Sequence, residues 1–295
     1  MKTRLIWLGL GAAALSTTIP ALSSQAATSA AALDAATAAA RCTTNGVVRV
    51  AEAHQHGAPA KADAGEAGES GEGTAAKADA DSRLDPAVRF YRDIQLVRGH
   101  ILVGDELVAD GRWPDALPHF LHPVEELYEK LGPQLKTRKM KPFLQQLKAL
   151  AQTVKAKNKS AYTAALAQLN ERLDAVDANM KSAQKDWTPF AVEVALETLR
   201  SAAGEYGESI ENGKFAKAVE YQDSRGFVWQ ADRLLTSVEA ALSAKDAAAA
   251  AKTRTELGAL KAAWPAALPP AKPVMDTSQV AGAISKIELA LGSFK

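Results

Sequence analysis

The chain has 295 residues, 47% of them hydrophobic and 23% charged, and its 35 basic and 34 acidic side chains give a formal net charge of +1. So even a balance leaves no electrostatic footprint for nucleic acid or an anionic membrane. Alanine dominates the apolar set, aromatics reach only 6% and there is one cysteine. This composition excludes a collagen, a disulfide scaffold or a multi-span membrane protein and points to helix.

At the start, Lys2 and Arg4 precede an apolar run from Leu5 to Leu15, and Ser24-Gln25-Ala26 offers small residues where signal peptidase cuts. This pattern predicts a cleaved signal peptide over residues 1–26, and hence export, most simply to a periplasm. No later segment is apolar enough for stable membrane insertion. Residues 27–84 read as a flexible tether. From Ala51 onward it is Ala, Gly, Glu, Asp, Lys and Ser without aromatics, too little apolar surface to offset chain entropy. Within it, His54 and His56 form a secondary candidate for chelating a metal. Cys42 lies far from the signal peptide behind Arg41, which argues against a lipid-attachment site.

Asp85-Pro86 joins a good N-cap to the residue favoured at the first helical position, so a long helix begins there. Phe90, Ile94, Val97, Ile101 and Val108 recur at helical spacing beside a second stripe of Leu96, Val103 and Leu107, a width that implies burial on more than one side. Gly111 closes the helix. The same grammar returns about 102 residues later: Thr188-Pro189 opens a helix that stops at Gly213, and Glu106 to Leu117 aligns without gaps on Glu208 to Val219.

Further helices are predicted over Pro142–Lys157, Ser160–Asn179, Phe215–Leu242, Asp246–Ala263 and Thr277–Leu291, with Trp264 to Pro273 as a proline-rich connector. The expected fold is all-α: two tandem, internally duplicated antiparallel bundles of about four helices each, over residues 85–183 and 184–295. This architecture is similar to that of the imelysin-like exported bundles linked to iron uptake. The chain lacks their Gly-x-His-x-x-Glu signature, so the likeness is one of architecture and does not give function.

The remaining histidines, His100, His119 and His122, cluster around the first hairpin. His100 and His122 lie equally far on either side of Gly111, ~16 Å along antiparallel helices at 1.5 Å per residue, so they can face each other. His119 precedes His122 by three residues and Glu126 follows it by four, which puts them on one helical face. Pro114, Pro118 and Pro123 make an uninterrupted helix improbable, and predict a restart at Pro123 with His122 near its N-cap. Three imidazoles and a carboxylate suit zinc, copper(II) or non-haem iron.

Asp105, Glu106 and Tyr128 are candidates to support these ligands. At the aligned positions the second half has Ala202, Tyr221, Ser224 and Val228, so by this reading only one half carries the cluster. The segment Tyr221 to Trp229 reads as core plus a surface ion pair of Asp223 and Arg225 to neighbouring helices, with a binding cleft between the two bundles as the alternative, and Lys136 to Lys141 as a solvated loop.

No nucleophile elbow, P-loop, dinucleotide fingerprint or paired-cysteine motif is present, so no enzyme is expected. Two readings stay open. One is an exported binding or accessory protein that holds a divalent transition metal (Zn, Cu or Fe) through His100, His119, His122 and Glu126. The other is a non-catalytic structural or protein-interaction module with interior histidines and an exported protein partner.

Overall fold

The structure is a computed structural model that describes residues 82–294. The predicted signal peptide, the tether up to residue 81, Cys42, His54 and His56 lie outside the described residues.

Helix α1 (Pro86–Ala109) is capped by Asp85, whose side chain accepts from the backbone N–H of Ala87 at 2.7 Å and of Val88 at 3.3 Å. It is buried on several sides, including Phe90, Ile94, Val97, Val103 and Leu107. Gly111, at φ 74°, ends it in a Schellman motif: Gly111 N–H bonds to Val108 O and Arg112 N–H to Leu107 O. Helix α2 (Trp113–His122) follows, then a π-helical turn (Pro123–Leu127) that runs directly into α3 (Tyr128–Thr137).

The three prolines therefore do not break the chain into separate helices. Pro114 sits in the first turn, where no N–H partner is needed, while Pro118 is accommodated inside α2. At Pro123 the missing N–H is absorbed by widening the spiral, so that Tyr128 N–H bonds to Pro123 O five residues back. His122 has helical dihedrals (φ −50°, ψ −43°) and caps nothing with its side chain.

The chain continues through α4 (Leu144–Lys155), α5 (Lys159–Ala183) and α6 (Trp187–Glu208). Two short strands, β1 (Ile210–Glu211) and β2 (Lys214–Phe215), pair antiparallel with Ile210 opposite Phe215. Asn212 and Gly213 form their turn at φ 52° and 71°, which is the conformation of a two-residue hairpin loop. Gly213 thus closes a strand pair, and α6 ends earlier than expected. The expected helix over 215–242 is divided into α7 (Ala218–Ser237) and α8 (Glu239–Lys245), parted at Val238 (φ −114°, ψ 5°). Helices α9 (Ala247–Lys261) and α10 (Thr277–Leu291) complete the all-α fold.

Helix α1 organises the packing, because it lies against α2, α6 and α7. Helix α4 packs on α2 and α5, and α10 on α6 and α9. The approach of α1 to α7 is unusually close: a Cβ at Gly226 would overlap the carbonyl of Gly99, and one at Gly99 would sit 2.5 Å from Phe227 Cδ1. Two glycines at one crossing let the backbones meet directly. The residues beside them, His100 on α1 and Asp223 on α7, are brought within reach of each other.

Candidate metal centre

Three histidines converge on one carboxylate. His100 Nδ1 lies 2.6 Å and His119 Nδ1 2.7 Å from Asp223 Oδ1, and His122 Nδ1 lies 3.0 Å from Oδ2. His119 Nε2 is 2.9 Å from Gln222 Oε1. His100, His119, Gln222 and Asp223 are all buried, whereas the His122 side chain is 23% exposed. Edge-to-face packing, with His100 and His122 centroids 5.5 Å apart and Phe227 4.9 Å from His100, holds the rings.

Burial alone would push the Asp223 carboxyl up, but the attraction of His100 and hydrogen bonds from His100, His119 and His122 hold it well below the usual carboxylate range. The hydrogen bond to Asp223 raises His122 to about 9, with burial opposing and the charges of Glu126 and Glu125 adding to the rise. An ionised carboxylate only accepts, so each Nδ1 donates its hydrogen to Asp223. That choice of tautomer leaves Nε2 of His100 and His122 as the nitrogens able to hold a metal.

Of the four predicted ligands, His100, His122 and Glu126 have donor atoms within 4.8 Å of one another. Glu126 Oε1 is 3.7 Å from His122 Nδ1 and its side chain is 56% exposed, leaving it free to turn toward an ion. His119 joins the cluster differently: fully buried, and with both ring nitrogens engaged, it groups with His100 and Asp223 rather than with Glu126. The candidate donor set is the imidazoles of His100 and His122 and the Glu126 carboxylate, with Asp223 hydrogen-bonded to both rings.

Asp223 and Gln222 are what the sequence reading missed. Asp223 is not part of a surface ion pair but the hub of the cluster, and its second oxygen-bearing neighbour Gln222 completes His119. Arg225 is likewise buried. It forks onto Glu106 at 2.8 and 3.0 Å, donates to Trp264 O at 2.9 Å and stacks on Trp229. The cluster also draws on both predicted halves, not the first alone.

None of the proposed supporting residues is a partner of these histidines. Asp105 accepts from Tyr162, Glu106 binds Arg225, and Tyr128 Oη accepts from Phe143 N–H. The available signal was Tyr221-Gln222-Asp223-Ser224, polar groups set among Phe227, Val228 and Ala231 on a helix buried all round. A buried carboxylate needs donors.

Residues 183–294 match the family described as the iron permease-associated 4-helix bundle domain. No curated protein and no solved structure matches the chain. The matched segment contains α6, α7, α9 and α10, and so includes Asp223 and Gln222 but none of the histidines. Among the described residues, no helix is long and apolar enough to cross a membrane.

Proposed function

We propose that this chain is an exported metal-binding accessory protein. Its described part holds one divalent transition-metal ion through Nε2 of His100, Nε2 of His122 and the Glu126 carboxylate. The observation that carries the reading is the convergence of three imidazole Nδ1 atoms on the single buried carboxylate of Asp223. A carboxylate bonded to the far nitrogen of a metal-binding histidine sets the tautomer, fixes the ring and raises ligand basicity. Two imidazoles and one carboxylate suit iron(II), with zinc and copper(II) as competitors. Similarity over residues 183–294 to a domain associated with iron permeases supports iron as the cargo. The Lys2 to Ala26 segment supports export. The reading assigns no bond-making step to the protein.

Isothermal titration of the full chain carrying His54→Ala and His56→Ala, with Fe²⁺, Zn²⁺ and Cu²⁺, tests it. The expected result is one ion bound with micromolar or tighter affinity, lost in His100→Ala and His122→Ala. A second reading, a structural lock with no metal, draws on the closure of His119 between Asp223 and Gln222. Absence of binding in a folded protein would leave that lock as the function of the cluster.

A further inference from the structure

A cleft of about 470 Å³ runs alongside the cluster between α1, the π-helical turn and α6, and His100 and Glu126 line it. His100 is 3% exposed and its Nδ1 is taken by Asp223, which leaves Nε2 as its remaining ring nitrogen. The opposite wall is α6, whose Glu197, Ser201, Glu205 and Glu208 recur at helical spacing and face the same space. Five acidic residues line the cleft against three basic ones.

Two of these acids stand where a helix tolerates them least. Glu205 and Glu208 occupy the last turn of α6, which holds no basic residue, and the C-terminal pole of a helix is itself negative. The helix dipole alone does not favour carboxylates there. With the pole, the excess of acids biases the cleft toward negative charge, which favours cations. Gly204 lines the cleft just before Glu205, with nothing within 4 Å of where its Cβ would stand, so this stretch of wall carries no side chain. The space accommodates an ion with six waters, about 180 Å³ at roughly 30 Å³ each.

We infer that this cleft is the loading route of the histidine site, and that its cargo is a hydrated divalent cation. Glu205 and Glu208 hold the ion through its water shell, Glu126 and the ring nitrogen of His100, which line the cleft, then replace waters, and His122 behind them completes the donor set. The inference rests on the metal-binding reading above. A loading route changes how fast the ion arrives and leaves without changing the final donor set.

Stopped-flow mixing of the full chain, with His54→Ala and His56→Ala, against Co²⁺ separates the possibilities, because the ligand-field absorption of the ion reports arrival at nitrogen donors. In Glu205→Gln/Glu208→Gln, association and dissociation should both slow by about tenfold, the lower range of electrostatic steering, with the dissociation constant nearly unchanged and the salt dependence of the rate reduced. Gly204→Trp, which fills the cleft from an unobstructed position, should slow both rates without removing a single charge. Rates equal to those of the parent in both variants, with tight binding intact, would overturn the loading route and leave the metal site standing. Failure of Co²⁺ to bind the parent would overturn both.

Discussion

The two hairpins turn on a left-handed glycine and differ in what they carry back into the core. In the first, Gly111 ends α1 by a Schellman motif, and the returning α2 brings His119 and His122. In the second, Gly213 lies in a two-residue loop between strands, and the returning α7 brings Gln222 and Asp223. Neither inventory is stable alone. Buried imidazole N–H groups need an acceptor, and a buried carboxylate needs donors. The polar complement of each hairpin is the other, so the cluster joins the halves as well as shaping a site.

Removing the shared member should break that junction hardest. Asp223→Ala leaves three histidines without their acceptor in a buried site, where loss of one partner costs about 3–5 kcal/mol. Asp232 provides the contrast. It pairs with Arg254 and Lys261 nearer the surface, at 21% side-chain exposure, and Asp232→Ala should cost less than about 1 kcal/mol. Urea denaturation of the two variants checks the difference, and equal losses would mean that the cluster does not bind the hairpins together.

The next effect is steric. Gly226→Ala drives a methyl group into the carbonyl of Gly99, and overpacking of this kind costs about 1–3 kcal/mol. It should also lengthen the His100–Asp223 bond and weaken metal binding. Gly204→Ala, unobstructed in α6, should instead stabilise the protein by about 0.5–1 kcal/mol, since alanine is the better helix former. The same denaturation series reads both signs.

How much of this could be seen in the amino-acid sequence follows from the range of each interaction. Asp85-Pro86 announces α1, and Thr277 to Leu291 marks α10, because caps and apolar spacing act within a few residues. The neighbourhood of His100 and His122 was legible because a hairpin places residues equidistant from its turn side by side. The π-turn was not, since Pro123 can restart a helix or widen one, and the choice depends on how α3 packs. Asp223 was not legible either. It lies 123 residues from His100, and only the crossing of Gly99 on Gly226 makes them neighbours. Aligning the halves set Tyr221 and Ser224 against His119 and His122, which treats as counterparts two segments that are in fact complements.

A further expected effect concerns pH, and it separates the apo protein from the metal-bound one by sign. His122 is raised to about 9 by its bond to Asp223, above its ordinary 6.5. A raised histidine stabilises the fold fully below about pH 6.5, and that contribution is lost as pH climbs through about 9. Discounted for partial exposure it is on the order of 1–2 kcal/mol. Denaturation at pH 6, 7.5 and 9.5 should therefore show a decline that His122→Gln flattens. Metal binding has the opposite slope, because Nε2 of His122 must give up its proton to coordinate. Affinity should rise by up to about tenfold per pH unit until the proton is gone near pH 9, with close to one proton released per ion. Calorimetry in buffers of different ionisation enthalpy counts that proton. If none is released at pH 7, His122 is not a ligand, and the metal site shrinks to His100 and Glu126.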